Sequence, residues 1–253
     1  MCLIVFAWKA HPEFPLIVAA NRDEFHARPT AAARFWDDHP GVLAGRDLEG
    51  MGTWLGVTRG GRFAAVTNYR DAASAQREAV SRGVLASRYL RGADAPSAFT
   101  SAVEAEGAAY RGFNFLAADR AELWWVSNRA ARACRIEPGV HGLSNHLLDT
   151  PWPKVTRGKQ RLGQVLELAP SIEPLLTLLA DTTEAAEADL PDTGVGAELE
   201  RLMSAARIVS PAYGTRCSSA LVVGVDGRVR FAERSYASDG AERDTLRYEF
   251  TLS

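Results

Sequence analysis

The sequence is short of the residues that staple small secreted proteins or cluster around metals. Its 253 residues include three cysteines, Cys2, Cys134 and Cys217. So widely spaced, they form neither a disulfide framework nor a CxxC-type ligand cluster. A reducing, cytoplasmic setting fits, with Cys134 and Cys217 unbridged. Charge of one sign is also missing: 29 basic residues against 31 acidic ones leave a formal net charge of −2. Nothing in that balance draws nucleic acid or an anionic membrane. No apolar stretch approaches the roughly 20 residues of a membrane-spanning helix. The run Leu3 to Trp8 has no basic segment before it and meets Lys9 and His11 at once, unlike a secretory signal. Internal repeats, low-complexity tracts and HxxH-like spacing are absent, so no metal site is expected. The chain does have 47% apolar residues, enough to build one globular domain over residues 1–253.

Residues 2–8 and 15–20 form short β-rich runs separated by a proline-marked turn, which predicts a hairpin. A second hairpin is expected in GTWLGVTRGGRFAAVTNYRD, turning at Arg59–Arg62. Helices are expected over 81–91, 97–109, 153–169, 174–180 and 197–207. Strands are expected on either side of residues 118–121 and of Asp226-Gly227, with a last one near 246–252. Strands at both ends with helices between them predict antiparallel sheets covered by helices, an α+β arrangement.

Chemistry concentrates at the amino-terminal hairpin. If the first strand is central, its start projects Cys2 into a cleft, and the neighbouring strand, ending on Asn21-Arg22-Asp23-Glu24, runs alongside it. Methionine aminopeptidases remove Met1 when a small residue such as Cys follows. Cys2 would then carry a thiol and a free α-amine, a nucleophile with a matched general base. Arg22 would favour the thiolate and hold developing negative charge, while Asp23 or Glu24 would orient the amine. The plainer alternatives are a small hydrophobe opening a buried strand and a solvated charged turn. Asn68 and Tyr69, after the second hairpin, line the same cleft or else end a strand. Trp124 and Trp125 alternate across a strand. His26, His141 and His146 attract attention only by flanking NRDE and GLSN.

Cys2 and NRDEF are followed in order by RPT at 28–30, GTWLG at 52–56, TNYRD at 67–71, GFN at 112–114, GLSN at 142–145, LDTPWPKV at 148–155 and TRCSSALV at 215–222. Together these resemble the NRDE family, also called the transport and Golgi organisation protein 2 family. That resemblance implies an N-terminal nucleophile hydrolase-like fold, a four-layer αββα sandwich, with choloylglycine hydrolases and penicillin V acylases as relatives. In those enzymes a cysteine attacks an amide carbonyl beside an arginine and an aspartate, and an asparagine helps form the oxyanion hole. Cys2 matches the nucleophile, Arg22 the arginine and Asn145 the oxyanion asparagine. Asp23 departs from the pattern, because it follows Arg22 directly whereas the acylases separate the two by two residues. Arg216 would supply a second cation near the pocket.

Two classes of function follow. The resemblance implies a cytoplasmic protein that binds or carries haem or acyl-CoA-type ligands, with Asn21, Arg22, Glu24, Asn68, Tyr69 and Arg216 lining the site. Haem enters only as a ligand, and no cofactor is required. The alternative is a cysteine amidohydrolase acting on a nonpeptide C–N bond through Cys2, Arg22, Asp23 and Asn145. The partner in either case is a small molecule.

Overall fold

The computed structural model describes residues 2–70, 80–168 and 170–253. Met1, Asp71 of TNYRD and Ala169 at the end of the expected third helix lie outside them. In chain order the strands are β1 (Cys2–Trp8), β2 (Leu16–Phe25), β3 (Thr30–Phe35), β4 (Val42–Asp47), β5 (Leu55–Thr58), β6 (Phe63–Asn68), β7 (Phe113–Ala118), β8 (Leu123–Ser127), β9 (Cys134–Arg135), β10 (Gly139–Leu143), β11 (Tyr213–Val223), β12 (Arg228–Tyr236) and β13 (Glu242–Thr251). The helices are α1 (Gly83–Arg91), α2 (Pro96–Glu106), α3 (Pro153–Glu167), α4 (Ile172–Leu179) and α5 (Ala197–Leu202). None of the described helices is long and apolar enough to cross a membrane.

Two compact units make up the chain. One comprises Met1–Ala27, Pro138–Ser144 and Leu148–Phe250 and holds a six-stranded sheet ordered β10-β1-β2-β11-β12-β13. The other comprises Arg28–Glu137, Asn145–Leu147 and Thr251–Ser253 and holds a seven-stranded sheet in sequence order from β3 to β9. Antiparallel pairing runs through both. Each unit thus contributes one sheet layer and one helix layer, the α+β class expected from the strand-helix-strand order.

In the first unit β1 is an interior strand, buried on both faces, which is why CLIVFAW reads as a continuous apolar run. Its odd residues Leu3, Val5 and Ala7 join Ile17, Ala19, Ala220, Val222 and Ala232 against α3 and α4. From the helices come Val155, Leu162, Leu175, Leu176 and Leu179, each contributing about 1.5–3 kcal/mol by burial. Close approach of α3 requires glycine at Gly142, where a Cβ would lie 2.6 Å from Val155 Cγ1. In the second unit α1 and α2 cover β4, β6, β7 and β8 through Tyr89, Leu90, Phe99, Phe113, Phe115 and Val126.

The expected hairpins at 52–71 and over Asp226-Gly227 are present, as β5–β6 and β11–β12. The helix expected over 197–207 stops at Leu202. Strands β3, β4 and β10 carry few long apolar runs and escaped the sequence reading. A difference that matters for function lies in β2, which does not end before the charged tetrad but runs on through Phe25. Hydrogen bonding to β1 and β11 on either side outweighs the low strand propensity of Asn and Asp.

Candidate functional site

Because NRDE lies inside a strand, its side chains alternate between the two faces of the sheet. Register assigns them. Cys2 pairs with Arg22, Arg22 with Cys217, and Cys217 with Ser235, forming one row across β1, β2, β11 and β12. The next row on that face is Ile4, Ala20, Ser219 and Glu233. Leu3, Asn21 and Ser218 form the row on the opposite, helix-covered face.

Asn21 is an anchor for the helix layer. Its Nδ2 donates to the carbonyls of Leu179 (2.9 Å) and Ala206 (2.7 Å), and its Oδ1 accepts from Ser218 Oγ at 2.5 Å. Asp23 follows the same pattern, its Oδ1 accepting from Thr215 Oγ1 at 2.6 Å. Thr215 Oγ1 in turn accepts from the N–H of Ile208 at 2.9 Å. Asn21 and Asp23 therefore point away from the face that carries Cys2, and strand alternation is the reason. The expected roles for Asp23 in orienting the amine and for Asn21 in lining a ligand site do not match this placement.

The Cys2 face carries the remaining charges. Arg22 is 5% exposed and its Nη2 lies 4.0 Å from Glu24 Oε2. Arg216 is the extra residue of a β-bulge between Thr215 and Cys217, and its Nη1 donates to the Phe25 carbonyl at 2.8 Å. Burial first, then the positive charge of Arg22, holds the Arg216 guanidinium below its ordinary pKa, with Cys217 and Glu24 pulling the other way. The buried Cys217 thiol is pushed well above the usual range, chiefly by desolvation and next by the negative charge of Glu233, with which it hydrogen-bonds. Arg22 opposes that shift. At neutral pH Cys217 is a thiol, not a thiolate, while Cys2 is only partly buried. Ser144 Oγ fixes the strand start by donating to the Cys2 carbonyl at 2.9 Å. All three cysteines are free.

The second unit gathers Asn68, Tyr69 and Asn145. Asn145 is fully buried, and its Nδ2 donates both to the Asn68 carbonyl and to Asn68 Oδ1, each at 3.0 Å. Its own carbonyl accepts from the Arg70 N–H at 2.6 Å. Both amide hydrogens of Asn145 are thus directed at Asn68, and an oxyanion role requires one of them to be released. The Tyr69 ring lies 4.9 Å from that of His146, whose pKa is lowered by burial. His26 Nε2 is 3.1 Å from the Ser210 carbonyl, and His141 pairs with Asp149, so both have structural partners. Arg28 of RPT is held by Asp47 at 2.8 Å. Among the described residues no group of three His, Cys, Asp or Glu is placed to hold a metal.

Over residues 1–238 the chain matches the family described as Transport and Golgi organisation 2. It belongs to that family. Transport and Golgi organization protein 2 homologs from Bos taurus and Homo sapiens are 37% and 36% identical over 275 residues, covering 100% of this chain and 99% of each relative. The Drosophila melanogaster protein of that name is 28% identical over 260 residues, 93% of this chain and 92% of its own. Among solved structures, a C2A mutant of conjugated bile acid hydrolase from Clostridium perfringens is similar at a TM-score of 0.45 and 8% identity, covering 100% of this chain and 98% of that one. Anbu from Hyphomicrobium sp. strain MC1 gives a TM-score of 0.39 at 11% identity, covering 98% and 87%. In this member of the family the NRDE tetrad divides its work: Asn21 ties the sheet to α4, Asp23 bonds Thr215 of β11, and Arg22 sits beside Cys2.

Sequence reasoning missed Cys217 as the cross-strand partner of Arg22 and Glu233 as an acid on the same face. A signal existed for Glu233. In β12 it shares a face with Val229 and Phe231, so strict alternation sets a carboxylate on an otherwise apolar stripe. Cys217 gave no such signal, because the bulge at Arg216 shifts its phase.

Proposed function

We propose that the chain binds a small anionic ligand of the haem or acyl-CoA type on the Cys2 face of the first unit's sheet. Arg22 and Arg216 receive its negative charge. Support comes from the two cations themselves: the charge of Arg22 adds to burial in depressing Arg216. A carboxylate or phosphate between them relieves that repulsion and accepts charge-assisted hydrogen bonds from both. Glu24 stays at the edge of the set as a loose partner of Arg22. The ligand reading places the protein among soluble carriers in a reducing compartment.

Direct pairing of Cys2 with Arg22 favours a second reading, cysteine amidohydrolysis. With residue 1 removed, the α-amine of Cys2 takes the thiol proton as sulfur bonds to the acyl carbonyl carbon. Negative charge then develops on the carbonyl oxygen, on the side where Arg22 stands. Collapse of the adduct breaks the C–N bond, the amine leaves with the proton, and water releases the acyl group from sulfur. Asp23 has no part in this scheme.

The test is titration of haem and of an acyl-CoA into the parent, Cys2→Ala and Arg22→Ala proteins, beside an acyl-amide hydrolysis screen. Binding weakened in Arg22→Ala but not in Cys2→Ala supports the carrier. Turnover abolished in Cys2→Ala with affinity retained supports the enzyme. Binding untouched by Arg22→Ala removes Arg22 from the ligand site.

A further inference from the structure

The Cys2 face holds one more charge. Glu233 is 3% exposed, on the row next to Cys2, Arg22 and Cys217. Deeper rows of the same face are apolar: Phe6, Val18, Leu221 and Phe231. A carboxylate taken so far from water is tolerated only with donors and a nearby cation. Its hydrogen-bonding neighbour is the Cys217 thiol, and Cys217 is the direct cross-strand partner of Arg22. Glu24, the other acid near Arg22, is 27% exposed and 4.0 Å away. Glu233 is therefore the more deeply buried acid on the face that carries the arginine.

We propose that Glu233 is a positioning residue of the Cys2 site, a buried counter-charge that acts beside the Cys217 thiol to offset part of the Arg22 charge felt at Cys2. It thereby sets how readily the Cys2 thiol reacts. This rests on the reading that Cys2 is the reactive thiol of the site. The groups facing Cys2 within its unit are Arg22 and Glu24 from β2, Arg216 and Cys217 from β11, Glu233 from β12 and, further along β10, His141. Arg22 is the nearest cation in that set and Glu233 the buried acid beyond it. Removing the acid leaves more of the arginine's charge acting on sulfur. Glu233 is three strands from Cys2, roughly 14 Å at the usual strand spacing. At that range one charge moves a titration by about half a pH unit.

The experiment follows iodoacetamide alkylation of Cys2 between pH 6 and 9, read by mass on the amino-terminal peptide. Cys134 is exposed and reacts independently, so every protein carries Cys134→Ser. Glu233→Gln is expected to move the rate–pH curve about half a unit lower, about threefold faster at pH 7. Glu233→Met, an apolar replacement of similar length, gives the same displacement and serves if the amide variant folds poorly. Glu233→Asp keeps the charge and returns the curve to that of the parent. Arg22→Gln moves it the other way. Cys217 stays unlabelled throughout, which shows that the sheet is intact. A curve unmoved or moved higher in both Glu233→Gln and Glu233→Met overturns the proposal, as does Glu233→Asp behaving like Glu233→Gln. If Arg22→Gln shifts the curve while the Glu233 variants do not, only the role of Glu233 falls. If Arg22→Gln also leaves it unmoved, the reading of the Cys2–Arg22 pair falls with it.

Discussion

The two faces of β2 put one tetrapeptide to opposite uses. On the helix-covered face Asn21 hydrogen-bonds to α4, to Ala206 and to β11, and Asp23 to Thr215 of β11. On the other face Arg22 and Glu24 lie 4.0 Å apart, Glu24 accepts from the Phe25 N–H at 2.9 Å, and both stand beside two thiols and a second arginine. Hydrogen-bonded polar groups in a dry layer hold a structure in place. The four residues of the motif thus face two ways across the pleat, Asn21 and Asp23 to one side and Arg22 and Glu24 to the other.

Variants of the two faces should separate stability from binding. The largest effect is expected from Asn21→Ala, which strands two buried carbonyls and removes one partner of the Ser218 hydroxyl, which keeps Tyr236. A loss of about 3–5 kcal/mol in urea unfolding follows from the usual desolvation penalties. Alkylation of Cys2 in the folded fraction should stay unchanged; a slowed reaction would show that the faces are not independent. Arg22→Ala should reverse the pattern, weakening haem or acyl-CoA binding by roughly 1.5–3 kcal/mol in calorimetric titration.

Asp149 offers a comparison away from β2. Its carboxylate accepts from Lys159 Nζ (2.6 Å) and the Gly142 N–H (2.9 Å) and pairs with His141 Nδ1 (2.7 Å), tying β10 to α3. Burial works against the charge, but the hydrogen bonds from His141, Lys159 and Gly142 outweigh it and hold the pKa down at about 2, from 3.8. A lowered acid stabilises the fold above its unfolded pKa and loses that contribution as pH falls through the folded one. Asp149→Asn should therefore destabilise the protein by about 1–2 kcal/mol at pH 7, discounted for partial exposure. The deficit should vanish between about pH 4 and 2. Asparagine also suits the left-handed backbone at this position, φ 57°, so the measured change reports charge rather than strain. The smallest effect belongs to the exposed Cys134: Cys134→Ser should change stability by less than about 0.5 kcal/mol. A thiol count on denatured, unreduced protein should give three. Intact mass checks removal of Met1, on which the α-amine of the amidohydrolase reading depends.

Period and punctuation made much of the fold legible. Proline and glycine turns located the hairpins β5–β6 and β11–β12, and the apolar spacing of Val155, Leu162, Val165 and Leu166 located α3. The pairing of Cys2 with Arg22 was within reach too, since two strands and a short turn bring residue 2 beside residue 22. What failed was the state of the tetrad. Asn and Asp are poor strand formers, and beyond Arg22 it is β11, about 190 residues on in sequence, that extends β2. That also hid the alternation separating Asp23 from Cys2. Strand β10 had no legible pattern, because GVHGL is short and gains its place from β1 and α3.

The bulge at Arg216 takes up one extra residue. Thr215 and Cys217 are two residues apart and in an unbroken strand would share a face, yet here one serves Asp23 and the other Arg22. Loss of Arg216 would leave Thr215 and Cys217 adjacent, as in an unbroken strand, with Thr215 still opposite Asp23, Cys217 opposite Arg22 and Ser218 opposite Asn21. The inserted residue therefore counts through its side chain, an arginine held to the Phe25 carbonyl, and not through the phase of the strand beyond it.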